Sequence, residues 1–250
     1  IRSGQGPTLL ITDLLAEMVA TVWYPTNYFR LSFGKQDRLG LLALELRNLS
    51  GLPLDTPKER VEAQVLDHLQ MHSDFGGKVR SLGRFVPYRF LRPFFANELR
   101  GQPDSIIDKT IQTLSSDRFT SESPCLYRFA TTSQESIEIH PLWLSYLKQH
   151  LTIVRDFCLW NLLNYLQRNN PNVPNLATKL FEPQQRNLDR ARAFWRIAWE
   201  SLGTIRCIYS CQQVPRQGCS LDHFLPWSFV AHDLLWNLVP TTRSVNSAKG

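Results

Sequence analysis

The sequence lacks several features that mark specialised classes of protein. A membrane span requires about 20 nearly uninterrupted apolar residues, and the longest apolar region, Leu142–Leu166, is broken by polar residues such as Arg155 and Asp156. The five cysteines are an odd number, which argues against a disulfide scaffold and favours a reducing compartment. Residues Ile1–Pro7 lack the apolar core of a signal peptide. We therefore expect a cytoplasmic protein without membrane contact.

The charge imbalance is also small. The chain of 250 residues has 28 Lys and Arg against 22 Asp and Glu, a formal net charge of +6. This surplus is compatible with a polyanionic partner and equally with ordinary solubility charge. Hydrophobic residues make up 43% and charged residues 20%, which excludes intrinsic disorder and collagen-like structure. The length allows one large domain or two small ones.

Helical periodicity dominates the first four-fifths of the chain. Apolar spacing and end signals predict helices over Thr8–Val22, Lys35–Asn48, Pro57–His72, Asp104–Leu114 and Gln184–Leu202. The pair Gly76-Gly77 predicts a break after the third of these helices. The stretch Pro141–Gln167 is apolar nearly all round, which predicts a long helix at the centre of the core. Two β-prone runs, Cys125–Phe129 and Ser136–Ile139, predict a hairpin.

The pattern changes in the last fifth of the chain. Two β-prone runs, Ile205–Tyr209 and Cys219–Leu225, predict a second hairpin, and a short helix is predicted over Arg243–Lys249. We therefore predict an α+β protein. A mostly helical body would occupy residues 1–203, and a separate small module would occupy residues 204–250.

Four residues in this module form a constellation that can carry chemistry. Asp222 and His223 are adjacent on a predicted strand, Asn237 follows 14 residues after His223, and Asn246 comes nine residues later. A strand pair followed by a helix can bring Asp222 and Asn246 to one point. Carboxylate and amide oxygens are hard ligands that suit Mg²⁺ with several retained waters. A neighbouring imidazole can then activate a water molecule.

This segment resembles the HNH nuclease motif, the ββα-metal fold. The resemblance implies that His223 deprotonates the attacking water and that Asp222 and Asn246 hold one Mg²⁺ or Mn²⁺ ion. It further implies that Asn237 is a catalytic-site residue that braces the loop aiming His223. Arg243 and Lys249 would contact flanking phosphates of the nucleic acid.

The cysteines depart from the pattern of many members of this family, which carry two cysteine pairs around a structural zinc. Cys207, Cys211 and Cys219 lie on one side of the motif, whereas Thr241–Asn246, where the partner pair would be expected, has no cysteine. Zinc usually takes four ligands. We therefore expect no structural zinc and interpret these cysteines as small packing residues.

Two arginine-rich stretches in the helical body are ambiguous. In Lys78–Arg100 several basic residues, among them Arg84, Arg89 and Arg92, alternate with aromatic residues. This pattern fits a phosphate groove with stacking platforms, and it also fits core aromatics with a rim of solvated arginines. We treat these three arginines as candidate nucleic-acid contacts. On the predicted helix Gln184–Leu202, nearby acidic residues favour a solvated arginine face over a DNA-binding ridge.

The resemblance implies a Mg²⁺-dependent endonuclease that hydrolyses DNA, and two alternatives stay open. The spacing from Asp-His to Asn to Asn resembles the HNH domain of RNA-guided CRISPR nucleases. Aromatic segments near the N-terminus, such as Trp23-Tyr24-Pro25, resemble bacterial HNH proteins of defence loci. The chain is therefore expected to act in anti-phage defence, alone, as a homo-oligomer, or as the nuclease part of a larger complex with protein or RNA partners. A catalytically inactive nucleic-acid-binding scaffold is the remaining alternative.

Overall fold

The protein is an α+β molecule, 56% helical with small antiparallel sheets, as the sequence predicts. The computed structural model describes residues 7–130 and 135–249, apart from the side chain of Lys249. The chain divides into two compact units, Ile1–Asn169 and Asn170–Gly250. Among the described residues, no helix is both long enough and apolar enough to cross a membrane.

The first unit combines helices with one three-stranded sheet. Its helices are α1 (Ile11–Thr21), α2 (Arg38–Ser50), α3 (Lys58–Gln70), α4 (Asp74–Gly83), α5 (Val86–Arg89), α6 (Asp104–Arg118), α7 (Pro141–Gln149) and α8 (Leu151–Asn169). Its strands are β1 (Thr8–Leu10), β2 (Tyr127–Phe129) and β3 (Ser136–Ile139), in the order β1-β3-β2. The predicted hairpin of β2 and β3 is confirmed, with Phe129 opposite Ile137. Helix α1 packs against α3 and α4, and Val19, Val65 and Val79 are fully buried there.

The start of the first predicted helix is wrong by three residues. Thr8–Leu10 is a strand, and α1 begins only at Ile11. The backbone of these residues pairs with β3, where Leu9 lies opposite Ile137. The backbone of Thr8–Leu10 therefore pairs with β3, although the local apolar spacing predicted that these residues would be helical.

The predicted helix break at Gly76-Gly77 is also wrong. Both glycines lie inside α4, whose N-cap Ser73 accepts a hydrogen bond from the Gly76 N–H at 3.1 Å. A Cβ atom on Gly76 would lie 2.3 Å from the carbonyl oxygen of His68 in α3. Gly76 therefore permits the close approach of two helices, and it does not end one.

The long helix predicted over Pro141–Gln167 is two helices, and it is not central. His150, with φ −111° and ψ 21°, separates α7 from α8. Leu166 is the one buried residue of α8, which the structure describes throughout, and α7 has none. Ile153, Phe157 and Trp160 are between 64% and 71% exposed. An apolar composition predicts a helix but cannot by itself place that helix in the interior.

The second unit has one long helix, two strand pairs and two short helices. These elements are α9 (Asp189–Leu202), β4 (Ile205–Arg206), β5 (Gln213–Val214), β6 (Ser220–His223), α10 (Trp227–Val230), β7 (Leu238–Thr241) and α11 (Arg243–Lys249). The predicted helix α11 is confirmed, and α9 ends at Leu202 as predicted but begins at Asp189, five residues later than the predicted Gln184. The predicted pairing of the two β-prone runs is wrong, because β4 pairs with β5 and β6 pairs with β7.

A small core joins α9 to the strands of the second unit. Trp199 of α9 is buried together with Ile205, Cys207 and Val214, and Val245 of α11 packs against them. The predicted module boundary after residue 203 separates α9 from these strands. The second compact unit begins at Asn170 and includes α9, which packs against β4 and β5.

Candidate active site

The antiparallel pair of β6 and β7 carries two of the predicted site residues. Asp222 lies opposite Val239, and His223, the last residue of β6, lies opposite Leu238. Consecutive residues of a strand project to opposite faces of the sheet. The two side chains therefore leave β6 in opposite directions, the imidazole of His223 into a buried environment and the carboxylate of Asp222 to a half-buried one.

The imidazole of His223 is held by a carboxylate. His223 Nε2 lies 2.8 Å from Oδ1 of Asp233, and both side chains are largely buried, at 7% and 16% exposure. The other oxygen of Asp233, Oδ2, accepts a hydrogen bond from the backbone N–H of Asn187 at 2.7 Å. A carboxylate can only accept, so Nε2 carries the proton of this bond. In the neutral ring Nδ1 is then the basic nitrogen.

Asn237 braces the turn that follows His223. The amide oxygen Oδ1 of this buried residue accepts the Leu225 N–H at 2.8 Å, and its Nδ2 donates to the Leu225 carbonyl at 2.9 Å. Its backbone carbonyl accepts the Phe224 N–H at 2.8 Å. Three hydrogen bonds therefore tie the two residues after His223 to a single buried side chain and its backbone.

Asp222 and Asn246 are directed to the same face of β6. Asn246 of α11 donates from Nδ2 to Ser220 Oγ at 2.9 Å. Ser220 and Asp222 are two residues apart on the strand, so their side chains share a face. Asp222 Oδ2 accepts a hydrogen bond from the hydroxyl of Tyr209 at 2.6 Å. Because Nδ2 of Asn246 is the donor to Ser220, the amide oxygen is the atom that can bind a cation.

Comparison with known proteins identifies the segment that contains this geometry. Residues 207–250 match the family model of an HNH endonuclease. The matched HNH segment spans β5, β6, β7 and α11 and contains all four residues of the constellation. Neither a curated protein nor a solved structure matches the chain. The family assignment therefore concerns the C-terminal segment.

The oxygen donors of the HNH segment are compatible with a hard divalent ion. Within residues 7–130 and 135–249, no group of three or more His, Cys, Asp or Glu side chains is placed to hold a metal. Mg²⁺ usually keeps several waters and needs only one or two protein carboxylates. The carboxylate of Asp222 and the amide oxygen of Asn246 are donors of the kind that such an ion takes, and they lie on one face of β6.

Two residues at this site were missed by the sequence reasoning. Asp233 carried a usable signal, because it is an acidic residue in the short segment between His223 and Asn237. Tyr209 carried none, since its contact with Asp222 joins a turn after β4 to a strand that does not pair with it. Tyr209 also stacks on Phe224, with ring centroids 6.5 Å apart.

The cysteines of the HNH segment divide by environment. Cys207 and Cys219 pack in the core around Trp199, whereas Cys211 is exposed. Burial raises the pKa of the Cys207 thiol, but hydrogen bonds from Thr241, Ser210 and Tyr209 outweigh this and lower the pKa to about 7. The Cys207 Sγ lies 3.2 Å from Thr241 Oγ1. Thr241, which contacts Cys207, lies in the region where many members of the HNH family would have a second cysteine pair.

The two predicted phosphate contacts in the HNH segment lie on α11. Arg243 begins the helix and is exposed. Lys249 is its last residue, and the side chain of Lys249 falls outside the described part of the structure. The phosphate contacts assigned to these two residues therefore stay predictions.

The three arginines from the basic stretch lie in the first unit. Arg89 and Arg92 both face Asp104, with nitrogen to oxygen distances of 3.9 and 3.0 Å, and the guanidinium of Arg89 lies over the ring of Phe85. Arg84 is exposed and lines a pocket of about 820 Å³. The contacts of these arginines with nucleic acid stay predictions.

The aromatic residues of the same stretch serve mainly in packing. Tyr88 stacks on Phe129 at 4.3 Å between ring centroids, Phe94 meets Trp143 edge to face, and Phe95 is fully buried. Phe90 stacks on Tyr127 with ring centroids 6.4 Å apart, but 61% of Phe90 is exposed. Most of these rings therefore fit the core-aromatic alternative, and Phe90 is the ring most accessible for stacking on a base.

Proposed function

We propose that this protein is a divalent-metal-dependent endonuclease that hydrolyses phosphodiester bonds of DNA. The observation that carries the proposal is the match of residues 207–250 to HNH endonucleases together with the hydrogen bond between His223 and Asp233 inside that segment. A general base must be neutral and must present a basic nitrogen to water. The carboxylate of Asp233 supports this tautomer by accepting the proton of Nε2.

In this proposal each residue of the site has a distinct role. His223 takes a proton from the attacking water at Nδ1, and Asp233 keeps the ring oriented and stabilises the imidazolium that results. Asn237 is a positioning residue, since it acts through the turn after His223. Asp222 and Asn246 would hold Mg²⁺ or Mn²⁺. When bound, that ion would supply Lewis-acid stabilisation of charge on the phosphate.

The basic residues would contribute binding. Arg243 and Lys249 lie on the helix that carries Asn246, which suits contacts with phosphates flanking the scissile bond. Arg84, Arg89 and Arg92 remain candidate contacts in the first unit. The ion pairs of Arg89 and Arg92 with Asp104 are exposed, so a phosphate can compete for these arginines.

The biological setting rests on the sequence resemblance. A role in anti-phage defence, protein or RNA partners, a homo-oligomeric state and a cytoplasmic location are predictions from the sequence. The supporting feature is the spacing from Asp222-His223 through Asn237 to Asn246, which resembles the HNH domain of CRISPR nucleases.

A plasmid nicking assay tests the proposal. Wild-type protein is incubated with supercoiled DNA and Mg²⁺, Mn²⁺ or EDTA, beside His223→Ala and Asp222→Ala. His150→Ala, which removes an imidazole from the first unit, is the matched control. We expect nicking with a divalent ion and none in EDTA. His223→Ala should lose about 10²-fold or more of the rate, the usual contribution of a general base, and His150→Ala should retain it.

Each other outcome has a definite meaning. If His223→Ala nicks DNA as fast as wild type, the assignment of the site is wrong. If wild type nicks only after guide RNA or co-encoded proteins are added, the chain is the nuclease part of a larger complex. If it nicks under none of these conditions, the inactive scaffold is the better description.

A further inference from the structure

A pocket of about 460 Å³ lies beside β6 in the second unit. One wall is α9, which contributes Arg192 and Arg196, and the opposite wall is the turn between β5 and β6, which contributes Arg216. Arg192 and Arg196 are four residues apart and therefore lie on one face of the helix. Three arginines from two separate elements thus line one cavity.

The arginines of this pocket are available to an anion. Arg192 pairs with Asp189 at 3.2 Å and Arg216 pairs with Glu200 at 2.7 Å, and all four side chains are more than half exposed. Exposed pairs of this kind contribute little to stability. A phosphate can replace the carboxylates and accept paired hydrogen bonds from guanidinium groups. Arg196 makes no ion pair with any residue in the described ranges.

Two tryptophans also line the pocket. The indole N–H of Trp195 donates to the Leu238 carbonyl at 2.9 Å, and that of Trp199 donates to the Val214 carbonyl at 3.3 Å. These bonds hold both rings in fixed orientations. Aromatic rings beside arginines are the combination that nucleic-acid-binding proteins use for a base and its phosphate. Trp199 is buried in the core of the second unit, whereas Trp195 is half-buried. The pocket thus offers arginines for a phosphate and the exposed part of the Trp195 ring for a base or sugar.

The pocket and the candidate active site share one residue, Ser220. This residue lines the pocket, and its Oγ accepts the hydrogen bond from Asn246. Asp222 is two residues further along β6, a distance of about 7 Å at the usual rise of a strand. A nucleotide in the pocket would therefore lie next to a phosphate held at Asp222 and Asn246.

We infer that this pocket binds the nucleotide adjacent to the scissile phosphate of the nucleic-acid substrate. The phosphate of that nucleotide contacts Arg192, Arg196 and Arg216, and its base or sugar lies against Trp195. This assignment rests on the proposed function in one respect, because it takes the substrate to be a nucleic acid. It reverses the sequence-based preference for a solvated arginine face on α9.

Binding measurements in EDTA test the inference separately from catalysis. Fluorescence anisotropy with labelled single-stranded and duplex DNA is recorded over a range of salt concentrations for wild type and for the double variant Arg196→Gln/Arg216→Gln. Arg190→Gln is the matched control, since Arg190 is an exposed arginine of α9 that does not line the pocket. Thermal unfolding checks that all three proteins are equally folded.

We expect the double variant to bind at least one of the two DNA forms about tenfold more weakly. Its plot of log affinity against log salt should flatten by about 1.4 to 1.8, the slope expected for two lost phosphate contacts. Arg190→Gln should stay within about twofold of wild type with an unchanged slope, because it removes charge without removing a contact.

Three results would overturn the inference. The first is an unchanged slope in the double variant, and the second is an equal loss in Arg190→Gln. The third is saturable binding of a free mononucleotide that requires Arg196 and Arg216 while DNA binding does not, which would indicate a small-molecule site. A double variant that loses DNA binding supports the inference even if wild type nicks nothing, in which case the proposed activity alone fails.

Discussion

At the scale of single residues, the contact between His223 and Asp233 decides which imidazole nitrogen can act as a base. The bond is 2.8 Å long and largely shielded from water, so it is stronger than an equivalent surface contact. A carboxylate acceptor enforces one tautomer, whereas an amide at the same position can either donate or accept. The chemistry of His223 therefore depends on a neighbour ten residues away.

The role of Asp233 can be tested with Asp233→Asn and Asp233→Glu. Asp233→Asn should lower kcat for nicking at least tenfold with little change in KM, because the substrate-binding groups stay in place. Nitrogen-15 chemical shifts of His223 should show a mixture of tautomers in Asp233→Asn and one tautomer in wild type. Asp233→Glu should recover part of the activity. A variant whose tautomer is unchanged while its activity falls would assign Asp233 a structural role only.

The lowered pKa of the Cys207 thiol predicts that the stability of the second unit depends on pH. Its folded pKa of about 7 is below the usual thiol value, so the unfolded chain binds more protons than the folded chain between the two pKa values. The thiolate contribution is fully present above the unfolded pKa and is lost as pH falls through 7. We expect the free energy of unfolding of wild type to rise relative to Cys207→Ser between about pH 7 and 9, measured by urea denaturation. The prediction would be contradicted if the free energies of unfolding of the two proteins changed equally with pH.

At the scale of elements, the turn between β6 and α10 depends on Asn237. Removing its side chain leaves the N–H and the carbonyl of Leu225 without their partner. We expect Asn237→Ala to destabilise the protein by about 2–4 kcal/mol, since each unsatisfied buried group costs about 1–3 kcal/mol. Asn172→Ala, at an exposed position of the same unit, should change stability by less than about 0.5 kcal/mol. Equal denaturation midpoints for the two variants would show that Asn237 does not stabilise the turn.

Helix α8 provides a second test at this scale. Leu166 is fully buried, whereas Phe157 on the same helix is 68% exposed. Leu166→Ala should therefore lower the free energy of unfolding by about 2–5 kcal/mol, and Phe157→Ala should change it by about 0.5 kcal/mol or less. Chemical denaturation of both variants makes the comparison. A large loss of unfolding free energy in Phe157→Ala would indicate that α8 is buried in the core, as its composition predicted.

At the scale of the whole molecule, the division after Asn169 predicts that the second unit folds alone. Residues 170–250 contain their own core around Trp199 and both strand pairs of the candidate site. We expect a fragment of these residues to give a dispersed NMR spectrum and a cooperative thermal transition. A shorter fragment, residues 204–250, lacks α9 and should show neither a dispersed spectrum nor a cooperative transition, because its strands lose the helix that packs against them. Two equally unfolded fragments would contradict the division.

The sequence predicted the local elements well where the signals were local. The presence of α2, α6, α9 and α11 follows from local apolar spacing, although the ends of the first three differ from the predicted ones by up to five residues, and the β2–β3 hairpin follows from two β-prone runs close together in the chain. The errors have nonlocal causes. Strand β6 pairs with β7 across the segment that carries Asp233, and Thr8–Leu10 is a strand because β3 lies beside it. Gly76 is inside a helix because another helix passes close to it.

The sequence by itself determined the class of the C-terminal segment. The spacing of Asp222-His223, Asn237 and Asn246 is written in the chain, and the match to HNH endonucleases depends on such local patterns. Only the tertiary structure decided that Asp233 holds His223, that Ser220 joins Asn246 to a pocket of arginines, and that α8 is exposed. Each of these features is a contact, or the exposure, of residues that are far apart in the sequence. Such contacts form because strand pairing and burial stabilise the whole folded chain, and these energies cannot be read from a local stretch of sequence.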